Sequence, residues 1–314
     1  MQGDGRRPSF VHTLPPFHPS TLPPFRQGGG KTIIPFDGPL ELEHTLLCGQ
    51  AFRWRPEGEW FLGTVGSTAM KVRKVSIGLE VRSSPPVTAG FVRSYFRFDD
   101  DLDAILKEIC VDRHIRRAVG KYRGLRLLRQ DPWECLVSYV ASSASNIPKI
   151  SRCIGKISQR YGDRVELGGF VSYGFPAPET LAAAGAPALR ECELGFRADY
   201  IAGIARDMTD PDSQGLLTPE ELRSLRIVPA GQARLKLLEF LGVGEKVADC
   251  VLLFSLDKLE TFPVDRWVQR VAERLFFRGR KLTPKKVREW GREHYGRYAG
   301  YAQQYLFHYM RHLE

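Results

Sequence analysis

Apolar and polar positions change rhythm about a third of the way along the chain. Over residues 32–94, short apolar runs such as Phe52-Arg53-Trp54, Trp60-Phe61-Leu62-Gly63 and Met70-Lys71-Val72-Arg73-Lys74-Val75 are broken by Gly, Pro and Ser. This strand-and-turn rhythm predicts an antiparallel sheet. After Tyr95 apolar residues recur at helical spacing through 102–110, 133–140, 147–157 and 235–240, which predicts helices. The fold class expected is α+β: an N-terminal antiparallel β-sheet domain with helices over residues 31–125, then an all-helical domain over 126–314. Residues 1–30 follow neither rhythm. They hold six Pro and five Gly, and the pentapeptide Thr-Leu-Pro-Pro-Phe occurs twice, so they cannot bury enough surface to offset ordering and are expected to be a disordered tail. Gly28-Gly29-Gly30-Lys31-Thr32 imitates a phosphate-binding loop, but Phe25 stands where that motif needs its first glycine.

Composition narrows the function classes. No apolar run approaches the roughly 18 residues of a membrane span, so a soluble protein with no membrane partner is expected. Lys and Arg number 46 against 36 acidic residues, a net charge of +10, which favours a polyanionic partner. Positive charge is dense over 113–129, with seven Lys/Arg and no carboxylate, and over 274–297, with nine against two. The six cysteines are at 48, 110, 135, 153, 192 and 250. They form no closely spaced pair of the kind that holds zinc or a cluster. Without a secretory signal they read as reduced thiols. The expected location is the cytoplasm or nucleoid of a bacterium or the nucleus of a eukaryote, not the secreted space.

The segment richest in chemistry is Leu237-Leu-Glu-Phe-Leu-Gly-Val-Gly-Glu-Lys-Val-Ala-Asp-Cys250. Helix, tight Gly-Val-Gly turn and second helix fit a helix-hairpin-helix, whose backbone N–H groups hold a phosphate; an ordinary αα-corner fits the same pattern. Lys246 falls at the start of the second helix, where the helix field disfavours an ammonium and so favours a neutral nucleophile. Cys250 lies one turn on, on the same face. Asp265, in Phe262-Pro-Val-Asp-Arg-Trp267, fits the N-cap of a further helix. Amine, thiol and carboxylate can thus line one pocket.

Gly242-Val-Gly-Glu-Lys-Val-Ala-Asp-Cys250 with Pro263-Val-Asp265 resembles the helix-hairpin-helix DNA glycosylase superfamily, and within it the 8-oxoguanine DNA glycosylases. Further matches are Cys48-Gly-Gln-Ala-Phe-Arg-Trp54, Leu127-Leu-Arg-Gln-Asp-Pro132, Gly195-Phe-Arg-Ala-Asp-Tyr200 and Gly300-Tyr-Ala-Gln-Gln-Tyr-Leu-Phe307. The resemblance covers roughly residues 35–310. It implies a monomeric base-excision repair enzyme acting on double-stranded DNA that contains 8-oxoguanine, with no cofactor and no metal required. Lys246 and Asp265 would be catalytic. The flipped base would lie between Cys250 and Phe307, with Gln303 on its Watson–Crick edge and the Gly49 carbonyl accepting the N7–H that guanine lacks. Gly242, Gly244 and Val247 would hold a phosphate through N–H groups, and the carbonyls of Leu238, Phe240 and Val243 would offer a structural cation site. Lys149, Phe196, Arg197 and Trp267 complete the expected DNA contacts.

This chain departs from the family opposite the lesion. Where well-known eukaryotic members have Asn-Asn-Asn-Ile-Ala-Arg and a Tyr-Arg pair, it has Ala144-Ser-Asn-Ile-Pro-Lys149 and Phe196-Arg197. Trp267 stands where they have a histidine near a phosphate. Weak preference for cytosine opposite the lesion is therefore expected, because Lys149 cannot make arginine's two-point contact. His308 and His312, at i and i+4, have the spacing of metal ligands but no evident third ligand. Arg126, Arg129 and Asp131 read as a structural ion-pair cluster. Two rival functions remain at this point: a monofunctional alkyl-base glycosylase needing only Asp265, and a non-catalytic helix-hairpin-helix DNA-binding protein.

Overall fold

The computed structural model describes residues 30–210 and 217–312, so the expected tail over 1–29 lies outside the described residues. The chain opens with β1 (Gly30–Ile34) and α1 (Leu42–Leu47). Then come β2 (Trp54–Glu57), β3 (Trp60–Val65), β4 (Thr68–Val75) and β5 (Gly78–Ser84). These strands form one antiparallel sheet in the order β1-β5-β4-β3-β2. Of the apolar run Phe52-Arg53-Trp54, only Trp54 enters a strand. One face of the sheet buries Trp54, Met70, Val72, Leu79 and Val81 against Leu46, Phe96 and Phe98, as period-2 side chains require.

Helices α2 (Ala89–Tyr95), α3 (Leu102–Ile109) and α4 (Arg113–Tyr122) lead into the helical half. There α5 (Pro132–Ala141) starts at Asp131, whose carboxylate caps Glu134 N–H at 3.0 Å with Pro132 in the first turn. Helix α6 (Ile147–Tyr161) is capped in the same way by Asn146. A two-stranded hairpin, β6 (Arg164–Leu167) and β7 (Phe170–Tyr173), interrupts the helices that the sequence predicts here. Its turn, Gly168-Gly169, has positive φ at both residues, the type I′ geometry that suits a two-residue loop. Leu167 and Phe170 pack on Leu62 and Ala69, so the hairpin belongs physically to the first sheet.

The remaining helices are α7 (Pro178–Leu189), α8 (Arg197–Thr209), α9 (Pro219–Ser224), α10 (Ala230–Leu238), α11 (Glu245–Ser255), α12 (Arg266–Leu275), α13 (Pro284–Tyr295) and α14 (Ala299–Arg311). Helices α5 and α11 are buried nearly all round and pack together at the centre. Helix α14 returns to the first half. Tyr305 Oη donates to Leu125 O at 2.9 Å and Tyr301 Oη to Asp100 Oδ2 at 2.7 Å. One apolar cluster consequently runs from Cys48 to Leu306 through both halves.

The ion-pair expectation for Arg126, Arg129 and Asp131 needs correcting. Arg129 pairs with Asp99 at 3.0 Å and Asp257 at 2.9 Å. Buried Arg126 donates to the carbonyls of Pro39, Arg97, Asp100 and Asp37, and Asp131 caps α5. Neighbours in sequence diverge here because an extended segment points successive side chains in different directions. No helix among the described residues is long and apolar enough to cross a membrane.

Candidate active site

Helix α10, a tight turn and α11 build the hairpin. Gly242 has φ +88°, and a Cβ there would lie 2.6 Å from Tyr200 Cδ2. Glycine is thus required twice over, for the left-handed backbone and for the aromatic ring against which it lies. Gly244 is the extended N-cap of α11 and supplies no side-chain cap. The first-turn N–H groups, which lack partners within a helix, are therefore open to an anion. Of the three carbonyls expected to hold a cation, that of Phe240 accepts the Val243 N–H at 3.1 Å. Buried Asp249 and exposed Glu245 are both gripped by Arg234, and by Arg288 at 3.0 and 2.7 Å respectively. This network ties the hairpin to α13.

Lys246 lies in the first turn of α11. Its Nζ donates to Ser142 Oγ at 2.8 Å and sits 4.9 Å above the Tyr139 ring. Asp265 is the N-cap of α12, accepting from Val268 N–H at 2.7 Å. Burial pushes the Cys250 thiol up to about 12, with the carboxylates of Asp249 and Asp265 adding to the rise and the Lys246 amine only partly opposing it. It stays a neutral thiol at pH 7. The thiol thus lies within electrostatic reach of both the Lys246 amine and the Asp265 carboxylate.

Gly49 sits in a loop with φ +92°, where a Cβ would run into Ile147 Cδ1 and Cγ1. The loop is clamped from both ends. Gln50 Nε2 donates to Thr45 O at 2.7 Å and Arg126 O at 2.8 Å, and its Oε1 accepts from Leu128 N–H. The Gln50 carbonyl accepts from Gln130 and from Tyr139 Oη, while Gln304 reaches the Cys48 carbonyl at 3.5 Å. Sequence reading missed Gln50 and Gln304 as supports, although both stand inside the quoted motifs.

Gln303 and Phe307, one turn apart on α14, line an apolar cleft with Trp267, Val268, Phe276 and Trp290. Buried Gln303 Oε1 has no hydrogen-bond partner, and neither does Trp267 Nε1. Cys250 is not on this cleft's wall. The structure thus groups Gln303 with Phe307 and Cys250 with Lys246, without bounding one cleft by ring and thiol together.

Opposite the lesion, Phe196 is 54% exposed and meets Tyr200 edge to face. Arg197, expected to contact DNA, points inward. It is 5% exposed and donates to the carbonyls of Ser143, Ala144 and Leu194. Ala144 holds φ +49° and is exposed. Lys149 is half-buried in the first turn of α6, and Arg270 lies over the Trp267 ring at 5.6 Å.

The His308 and His312 pair gains no third ligand from the fold: the described residues contain no group of three or more His, Cys, Asp or Glu placed to hold a metal. His308 instead meets His44 at 3.2 Å, packed on Tyr122. All six cysteines are unpaired. The basic segments are partly neutralised by distant carboxylates: Arg123 pairs with Asp103, Lys281 with Glu273 and Arg297 with Glu108.

Residues 33–136 match the family described as 8-oxoguanine DNA glycosylase, N-terminal domain, and residues 137–295 match the HhH-GPD superfamily of base excision DNA repair proteins. An N-glycosylase/DNA lyase OGG1 of Arabidopsis thaliana is 32% identical over 323 residues, covering 96% of this chain and 88% of that one. The 8-oxoguanine glycosylase/lyase of Clostridium acetobutylicum, solved with double-stranded DNA containing cytosine opposite 8-oxoG, has a TM-score of 0.81 and 32% identity. It covers 88% of this chain and 93% of its own. MBOgg1, solved with a low-affinity DNA ligand, gives 0.84 and 30%, covering 92% and 98%. The hairpin, its lysine and the sheet that precedes them, taken with these matches, show that the chain belongs to the 8-oxoguanine DNA glycosylase family of the helix-hairpin-helix superfamily.

Proposed function

We propose that the protein excises 8-oxoguanine from duplex DNA and nicks the strand at the resulting site. The hairpin N–H groups of Gly242, Gly244 and Val247 hold a backbone phosphate, and Phe196 enters the base stack where the damaged nucleotide leaves it. In the pocket, Gln303 Oε1 accepts from the donors on the base's Watson–Crick edge, and the Gly49 carbonyl accepts its N7–H. Unmodified guanine would set its N7 acceptor against that carbonyl, an unpaired contact costing about 1–3 kcal/mol. Phe307 covers one face of the base, with Cys250 beside the Lys246 amine.

The bond from C1′ to the base then breaks, its electron pair leaving with the base, and the Lys246 amine forms a bond to C1′. Asp265 stabilises the positive charge that develops on the sugar. Loss of a proton from nitrogen and opening of the sugar give a Schiff base. Removal of a C2′ proton expels the 3′-phosphate and leaves the nick.

The observation that carries this reading is the placement of Lys246 in the first turn of α11, its amine held by Ser142 Oγ at 2.8 Å over the Tyr139 ring and one turn from Cys250. The unpartnered acceptor on buried Gln303 supports the base pocket. Borohydride trapping on an 8-oxoguanine duplex is the test. An adduct that disappears in Lys246→Gln is expected. Excision without an adduct would indicate the monofunctional alkyl-base type, and binding without excision a non-catalytic module.

A further inference from the structure

We propose that Ser142 is a positioning residue for the Lys246 amine, and that Arg197 braces the turn that presents it. The inference rests on Lys246 being the nucleophile. A lysine amine at the end of four rotatable bonds samples many orientations, and attack at a sugar carbon needs one of them. Two contacts define its place here, the Tyr139 ring 4.9 Å beneath it and Ser142 Oγ at 2.8 Å.

The hydroxyl is itself oriented. Ser142 Oγ donates its only hydrogen to Tyr139 O at 2.6 Å, so its lone pairs are what it offers the amine. It can only accept, which restrains one N–H and leaves the remaining valence of nitrogen free for the sugar. Ser142 ends α5, and its own N–H bonds Ser138 O at 3.0 Å.

Beyond it the chain is held by Arg197. The guanidinium takes Ser143 O through Nε at 2.6 Å, Ala144 O at 2.9 Å and Leu194 O at 3.1 Å, and stacks on the Phe196 ring at 4.6 Å. An arginine at the position expected to read the opposite base is thereby committed to the turn that carries the amine's anchor. Damage recognition at Phe196 and nucleophile placement at Lys246 meet in residues 142–144.

A hydroxyl that merely ends a helix would shift the melting temperature slightly and leave chemistry alone. Single-turnover borohydride trapping separates the two. It is run on an 8-oxoguanine duplex and on a duplex with a preformed abasic site, with affinity read on a tetrahydrofuran-site duplex. Ser142→Ala is expected to slow trapping on both substrates by about tenfold or more, as displacement of a reacting group does, with affinity and melting temperature near wild type. Ser142→Thr, which keeps the acceptor, recovers most of the rate. Ser142→Cys, similar in volume but a poor acceptor, falls with Ala and gives the same reading without emptying the site. A smaller loss in Ala, equal losses in Ala and Thr, or affinity falling in step with rate overturns the inference. An adduct persisting in Lys246→Gln would instead remove the nucleophile on which it rests.

Discussion

Gly242→Ala is the sharpest test of how the hairpin is held. A left-handed backbone costs a residue with a Cβ about 1–2 kcal/mol, reduced by roughly 0.4–1 kcal/mol because alanine also restricts the unfolded chain. The added methyl meets Tyr200 at Cδ2, 2.6 Å, and Cβ, 2.8 Å. These atoms are at the root of the ring, so rotation cannot clear them and α8 itself must move. Overpacking of that kind costs about 1–3 kcal/mol. The total is a destabilisation of about 1–5 kcal/mol, measured from the urea midpoint by intrinsic fluorescence. The cycle with Tyr200→Ala divides it: removing the ring clears the Cδ2 contact but keeps the Cβ at 2.8 Å, so it should return part, not all, of the overpacking cost of about 1–3 kcal/mol relative to the sum of the single changes. Affinity for an abasic duplex should fall in Gly242→Ala as well, because the shifted turn misaims its N–H groups. A Gly242→Ala protein within about 0.5 kcal/mol of wild type, or an additive cycle, would refute the packing argument.

Two further outcomes follow from the site. Excision opposite C, A, G and T should differ by less than about tenfold, because Ala144 offers no side-chain hydrogen bond and Arg197 is committed to carbonyls; single-turnover rates that favour cytosine on the order of a thousandfold would contradict this. His308 is lowered to about 3, by burial first and then by the nearby charges of His312, His44, Arg311 and Lys121. Tyr122 and Tyr309 also pack in this cluster. The unfolded chain therefore binds the extra proton, and stability present above pH 6.5 is lost as pH falls toward 3. In His308→Gln the denaturation midpoint should fall less steeply between pH 6.5 and 4 than in wild type, and parallel curves would exclude this histidine as the cause.

Much of the site was legible because its parts are local in sequence. Lys246 and Cys250 are one helical turn apart, the Gly-Val-Gly turn needs no distant partner to be seen, and Asp265 caps the helix it precedes. Gln303 and Phe307 share a face for the same reason. The β6–β7 hairpin was also legible, from Gly168-Gly169 between Leu167 and Phe170, but helical rhythm on either side masked it.

What the sequence determined on its own is what short-range physics controls: which segments are strands and helices, where the helices start, and which few residue types bear the chemistry. The tertiary structure decided the rest. Ser142 and Lys246 are 104 positions apart, and no local pattern marks that serine as the amine's acceptor. Arg197 reads from sequence only as a contact for DNA, and it is the fold that sets it against the Ser143 and Ala144 carbonyls. Buried acceptors need donors and buried charges need partners. Which distant residue meets each need is settled only when α5, α8 and α11 pack together.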